Sequence, residues 1–204
     1  MIFNSPAALI LRWSFFISEL MRNIFLYTLV CGGLMIKPAF SEVEIAFTPS
    51  DECEKRIVGL IDKSQKSIDI AVYSINNQQI VEALERAKQR NVTLRILTDR
   101  LQASSKYSKV AEMRDNRLDV RVHTKNKIEH NKFAIFDGKA VSTGSYNWTN
   151  AASDKNSENC LFLLKDPINV KTYQERFEVL WKENTQDKSE QWFEKRRIKN
   201  ETNN

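Results

Sequence analysis

From Val43 onward, short runs rich in β-branched residues alternate with longer stretches whose apolar residues recur at helical spacing, a pattern that commits the chain to helices layered on a sheet. "VEIAF" (Val43 to Phe47), "SIDIAVY" (Ser67 to Tyr73), "VTLRILT" (Val92 to Thr98), "LDVRVH" (Leu118 to His123) and "ENCLFLL" (Glu158 to Leu164) read as strands. Between them, Cys53, Ile57, Leu60 and Ile61 make one apolar stripe behind a Ser50 or Asp51 cap. Ile80, Ala83, Leu84 and Ala87 make another behind Asn76 or Asn77. A weaker stripe, Tyr107, Val110, Ala111 and Met113, precedes "LDVRVH". Pro167 opens a helix that turns Val170, Tyr173, Phe177, Leu180 and Trp181 inward. "NKFAIFD" and "KAVSTG" flank Asp137-Gly138, a two-residue hairpin signal. The expectation is one α/β domain with a mixed β-sheet flanked by helices on both faces.

At 204 residues the chain holds one domain with a sizeable core. Its 42% hydrophobic and 28% charged residues set aside fibrous, low-complexity and disordered classes. The first forty residues stand apart in having few charges. From Met21 a short polar start leads to the apolar run Ile24 to Ile36 and then to "KPAFSE", where Ala39 and Ser41 take the small-residue positions of an export cleavage site. Residues 1–20 therefore read as an N-terminal extension, 21–41 as a signal peptide or an uncleaved membrane anchor, 42–186 as the folded domain and 187–204 as a polar, basic tail that frays. Either leader places the domain outside the cytoplasm, secreted or periplasmic. In that compartment Cys53 and Cys160 are open to two readings, one bridge or two separate buried thiols.

The chain has two histidines. One of them stands in "EHNKFAIFDGKAVSTGSYNWT" (Glu129 to Thr149). Read as a strand, this stretch puts His130 and Lys132 on one side with Ala134 and Phe136, and Phe133, Ile135 and Asp137 on the other. Asp137 then braces the turn and does not meet His130. His130, Lys132 and Asp137, followed by Gly144, Ser145 and Asn147, form an H-x-K-x4-D and G-S-x-N pattern. It resembles the signature of the phospholipase D superfamily, in particular its small bacterial Nuc-type endonucleases with one motif per chain. "IAVYSINNQQIVEALERAKQRNVTLRILTD" is similar to that family's second strand, helix and third strand, and "KNSENCLFL" to the strand that brings its acidic residue. The likeness covers residues 43–186.

The resemblance implies the phospholipase D fold and a metal-independent phosphodiesterase working through a phosphohistidine. Attack on a phosphodiester is attack on an anion, so positive charge must be in place first. Lys132 brings a compact cation and Asn147 brings amide donors. His130 is the implied nucleophile; an unperturbed imidazole titrates near pKa ~6.5 and is neutral yet competent near pH 7. Glu158 matches the acidic residue that orients the ring, and Ser145 joins that network or donates to a phosphate oxygen. Asp137 and Gly144 are motif positions with structural roles. His123 has no x-Lys partner and reads as structural or surface. Since single-motif members pair two chains, the resemblance implies a homodimer in which both copies of His130 share one cleft, one attacking and the other protonating the leaving oxygen. No cofactor is expected: two histidines, no C-x-x-C and no dense carboxylate cluster offer no zinc or two-metal site.

Between Arg100 and Lys127 lie eight Lys or Arg against three acids. Lys106, Lys109, Arg114 and Arg117, with Arg121 and Lys125, are expected to track the backbone of a nucleic acid. Tyr107 is placed to stack bases and Tyr146 either to stack or to pack. Two other readings stay open: a phospholipase D acting on phosphatidylcholine or cardiolipin, and a catalytically silent nucleic-acid-binding protein.

Overall fold

The computed structural model describes residues 41–201; the expected extension and leader, apart from Ser41, lie outside the described residues. Among these, the strands are β1 Glu42–Phe47, β2 Ser67–Val72, β3 Thr93–Asp99, β4 Asp119–His123, β5 Lys132–Phe136, β6 Ala140–Gly144 and β7 Asn159–Leu164. The helices are α1 Glu52–Lys63, α2 Gln78–Gln89, α3 Arg100–Ala103, α4 Val110–Asp115, α5 Asn150–Asp154, α6 Pro167–Glu183 and α7 Gln186–Glu201. One mixed sheet results, ordered β1-β7-β6-β5-β2-β3-β4. β2, β3 and β4 are parallel, and every pairing from β2 through β5, β6 and β7 to β1 is antiparallel.

β2 lies inside the sheet, between β5 and β3, because it has apolar residues for both faces. Ile68, Ile70 and Val72 enter the larger core, where α1 brings Ile57 and Ile61 and α2 brings Ile80 and Leu84. Each of these side chains is fully buried and contributes about 2 kcal/mol by leaving water. Ala71 enters the opposite core, where Val170, Phe177, Leu180 and Trp181 of α6 cover Phe133, Ile135 and Val141. Arg95 fastens α6 to this face: it pairs with Asp69 at 2.7 Å and Glu178 at 2.6 Å while lying over the Phe177 ring at 4.9 Å. Helices thus flank both faces, as the sequence pattern requires. The cap of α2 is Asn77, whose side chain accepts the Ile80 N–H at 3.1 Å. The β5–β6 hairpin turns through Asp137 and Gly138 with φ of 53° and 63°, the left-handed pair that a two-residue turn demands.

Two expectations fail in instructive ways. Tyr107 does not belong to the α4 stripe: α4 starts only at Val110, Tyr107 and Ala111 are exposed, and Val110 and Met113 alone turn inward. The Lys109 N–H is held by the Ile75 carbonyl at 3.2 Å, which leaves the preceding loop outside the helix. The expected fraying tail is instead α7. Its charge hides an apolar edge, for Trp192 and Phe193 pack against the larger core, and buried Ser189 takes the Val122 N–H at 3.1 Å and so satisfies the open edge of β4.

The two thiols are joined. A Cys53–Cys160 disulfide ties the first turn of α1 to β7 across a sequence separation of 107 residues. Closing a loop of that length removes unfolded-state entropy worth about 4–5 kcal/mol in the chain-entropy account. Reduction, or paired Cys53→Ser and Cys160→Ser replacement, is expected to lower Tm by on the order of 10 °C in a calorimetric scan.

Candidate active site

The carboxyl ends of β2 and β6 meet the amino ends of β5 and β7 at one edge of the sheet, with Val72 opposite Lys132 and Gly144 opposite Cys160. Beyond β2 the chain stays in place because the Tyr73 N–H bonds the Asn131 carbonyl at 2.8 Å. The loop after β6 is sewn to the same segment: the Trp148 N–H bonds Ser74 O at 3.1 Å, and the N–H groups of Asn76 and Asn77 bond Trp148 O at 2.9 and 3.0 Å. Asn147 therefore stands beside the end of β2, between buried Tyr146 and buried Trp148.

His130 is exposed, and its ring lies 4.6 Å from the Tyr73 ring, tilted by 55°. The half-buried Lys132 ammonium donates to the His130 carbonyl at 2.7 Å and sits 5.0 Å from the same Tyr73 ring. Burial pushes the Lys132 pKa down, opposed by the nearby carboxylates of Glu158 and Glu129. His130 is not part of a strand, contrary to the alternation expected from the sequence; β5 begins at Lys132, and the chain before it is bent by bonds to buried Glu129 and Asp99. Tyr73 was missed as a site residue. The usable signal was its place just past the end of a central strand, where open α/β sheets gather their ligand sites.

The Ser145 hydroxyl donates to Glu158 at 2.6 Å and accepts the Asn159 N–H at 3.0 Å, while Asn156 donates to the other Glu158 oxygen at 2.9 Å. Glu158 thus holds Ser145 and Asn156, where orientation of the His130 ring was expected, and acts on Lys132 through its charge alone. Gly144, at φ 132°, lies so close to β7 that a Cβ would stand 2.3 Å from the Asn159 carbonyl oxygen. No side chain fits there without opening the strand pair that positions Ser145. Tyr146 is buried, with its hydroxyl 2.7 Å from Ser153 and burial pushing its pKa up to about 12, so it packs and does not stack bases. The side-chain carbonyl oxygen of Asn147 is buried without a hydrogen-bond partner among the described residues.

Asp137 sits at the far end of β5. Its carboxylate accepts the N–H groups of Gln65, Lys66 and Ser67 at 3.0, 2.7 and 3.1 Å, joining the hairpin turn to the loop before β2. Desolvation acts to raise its pKa, but the three backbone bonds outweigh it and hold the group below its ordinary 3.8.

The sequence profile of a family described as "Cardiolipin synthase, PLD-like domain" matches residues 57–181. The chain belongs to the phospholipase D superfamily. A phospholipase D of Rickettsia prowazekii is 40% identical over 123 residues, 60% of each chain. This chain therefore spans about three fifths of the length of that relative. A mitochondrial cardiolipin hydrolase of Xenopus laevis is 32% identical over 151 residues, covering 72% of this chain and 71% of the relative. Among solved structures, the phospholipase D family member Nuc of Salmonella typhimurium matches with a TM-score of 0.68 and 28% identity, over 72% of this chain and 97% of that one.

On this phospholipase D scaffold the basic segment is mostly spent on internal contacts. Lys109 pairs with Glu112 at 2.6 Å; Arg114 pairs with Glu190 at 2.6 Å and lies 3.7 Å over the Phe193 ring, fastening α4 to α7. Arg121 lies 3.7 Å over Trp181, and Lys125 pairs with Glu183. Arg117 follows α4 in a left-handed turn, and its carbonyl holds Lys88, at the end of α2 about 15 Å along that helix from the site. The side chains of Lys109, Arg114, Arg121 and Lys125 are thus engaged within the fold, contrary to an unbroken free track. Lys106 differs: it is exposed beside exposed Tyr107, 4.8 Å from its ring, on the loop tied to Ile75. Among the described residues, no group of three or more His, Cys, Asp and Glu side chains is arranged to hold a metal ion.

Arg114→Ala is expected to lower stability by about 1–2 kcal/mol in urea titrations without changing KM, whereas Lys106→Ala should raise KM at unchanged stability. Asp137→Asn should cost about 1–3 kcal/mol. Because the native pKa of Asp137 is depressed, its contribution is full above about pH 4 and is lost as pH falls through the native value; the variant's stability curve should be flatter on that acid limb.

Proposed function

We propose that the protein is a metal-independent phosphodiesterase that hydrolyses nucleic acid through a phosphohistidine on His130. The observation that carries this reading is the joining, at one sheet edge, of an exposed imidazole, an ammonium bonded to the imidazole's own main chain, and a hydroxyl anchored by a carboxylate. Lys132 and the amide of Asn147 offset the charge of the phosphoryl group, acting where water is thinned and electrostatic attraction is stronger. A His130 ring nitrogen attacks phosphorus; the N–P bond forms as the P–O ester bond breaks, and the electron pair leaves with the ester oxygen, which takes a proton. Water then attacks phosphorus, the N–P bond breaks, and the imidazole regains its pair as the water's proton passes to the acid that served the first step.

Two copies of the chain supply that acid in this reading, one His130 attacking while the partner's His130 protonates the leaving oxygen. Support comes from edge strand β1, which leaves Val43, Ile45 and Phe47 all exposed on one face, with Phe47 in register with Asn159 beside Glu158. Such a stripe running up to the site is suited to a two-fold contact. Export is supported by the Cys53–Cys160 bridge, since disulfides persist in oxidising compartments. Nucleic acid as substrate is supported by exposed Lys106 and Tyr107 near the site and by the likeness to Nuc. Phospholipid is the second reading, favoured by the phospholipase D and cardiolipin hydrolase relatives and by exposed Leu101 and Ile128, which follow and precede the Asp99–Glu129 contact behind His130.

The deciding assay compares wild type and His130→Ala, in EDTA, on single-stranded DNA and on phosphatidylcholine or cardiolipin vesicles, with sedimentation to give the oligomeric state. Expected are DNA cleavage by a dimer, undiminished by EDTA, and a loss of at least about a thousandfold in kcat in the variant. Turnover of vesicles alone would move the substrate to lipid, and an active monomer would remove the shared cleft.

A further inference from the structure

His123 closes β4 at 1% exposure; Glu129 is 2% exposed and Asp99, closing β3, 1%. Three titratable side chains withdrawn together from water are costly unless they serve one another. His123 Nδ1 accepts the Asn126 N–H at 3.4 Å, which leaves the ring proton of a neutral imidazole on Nε2. That Nε2 faces Glu129 Oε2 at 3.5 Å and has no hydrogen-bond partner within normal reach. The other Glu129 oxygen accepts both the Asn131 N–H at 3.1 Å and the Asn131 side-chain amide at 2.6 Å. The Glu129 N–H is itself given to Asp99 at 3.1 Å, whose second oxygen takes the N–H groups of Leu101 and Gln102 at the start of α3.

His130 is the residue between Glu129 and Asn131. Both of its chain neighbours are clamped, and the Asn131 carbonyl is held in addition by Tyr73, on whose ring the His130 imidazole rests. We infer that His123 and Glu129 are a buried positioning pair: the His123 ring, packed with Nε2 3.5 Å from Oε2, confines the Glu129 carboxylate, and Glu129, through Asn131, fixes the angle at which His130 meets a phosphodiester. The inference rests on the reading of His130 as nucleophile. It gives the chain's second histidine a task that needs no contact with substrate.

The charges around His123 agree with a neutral ring at pH 7. Burial dominates and holds its pKa below the ordinary 6.5, against Glu129 on the loop, Glu183 on α6 and Asp99 on β3, with Arg176 of α6 acting in the same direction as burial. Protonation would turn Nδ1 into a donor facing the Asn126 N–H and break that bond. The tie of the ring to Asn126 is therefore lost as pH falls through the depressed value, while Nε2–H still faces Glu129, now as half of an ion pair.

Two replacements separate the ring's halves. His123→Asn keeps an acceptor for Asn126 but is too short to reach Glu129, whereas His123→Gln keeps a donor toward Glu129. His123→Asn and Glu129→Gln are expected to lower kcat about ten- to a hundredfold at unchanged KM and to alter the acid limb of the pH–rate profile, with His123→Gln restoring most of the loss. Wild-type kcat and pH profile in His123→Asn and Glu129→Gln, with His130→Ala inactive, would overturn the pair and leave the nucleophile standing. Activity surviving in His130→Ala would instead overturn the nucleophile. Nitrogen-15 NMR of the wild-type imidazoles decides the matter even where a variant does not fold: an Nε2–H tautomer of His123 at pH 7 is expected, and an Nδ1–H tautomer would sink the proposal.

Discussion

Antiparallel pairing of β5 with β2 runs from Ile68 opposite Phe136 to Val72 opposite Lys132, and the Tyr73 N–H carries it one step further to the Asn131 carbonyl. That last bond brings Lys132 and His130 over the Tyr73 ring. Because side chains alternate along a strand, a slip of one residue would send Lys132 into the core under α6 and bring Phe133 out to the sheet edge. The register is protected by burial on both faces, with Ala134 and Phe136 in one core and Phe133 and Ile135 in the other. Packing deep in the molecule thus decides where the motif's cation stands.

Around that pairing, the remaining motif residues divide into those that meet the site and those that hold it. Gly144 lets β6 approach β7 closely enough for Ser145 to share its hydroxyl between Glu158 and the Asn159 N–H. Asp137 works at the opposite end of β5, where three backbone N–H groups converge on it. The disulfide anchors β7 to α1 immediately beyond Glu158 and Asn159. The catalytic edge is consequently made from strand ends and short loops, each fastened to the sheet by backbone bonds, and that rigidity is what a preorganised phosphoryl site requires.

Charge tells a different story from composition. The run of lysines and arginines between Arg100 and Lys127 has the look of a polyanion track in one dimension, yet Arg114 and Arg121 stack on Phe193 and Trp181, and Lys109 and Lys125 pair with Glu112 and Glu183. Glu112 is three residues from Lys109, but the other partners lie on α6 and α7, far off in sequence: Lys125 and Glu183 are separated by 58 residues and Arg114 and Glu190 by 76. A local charge count has no access to such pairings. Much the same applies to α7, whose polar composition conceals Trp192, Phe193 and Ser189 facing β4 and the larger core.

Periodicity and turn residues were enough to determine the α/β class, its strands, the helices α1, α2 and α6 and the Asp137-Gly138 hairpin, and the spacing of His130, Lys132, Ser145 and Asn147 was enough to mark the family motif, because each is a short-range pattern with a short-range cause. Only the tertiary structure decided that Tyr73 underlies both His130 and Lys132, that Glu158 holds Ser145, that Cys53 and Cys160 are bridged, and that His123 and Glu129 are buried behind the motif. These are contacts between residues brought together by strand order and helix packing. Their energy depends on burial and distance in three dimensions, neither of which is written in the spacing of residues along the chain.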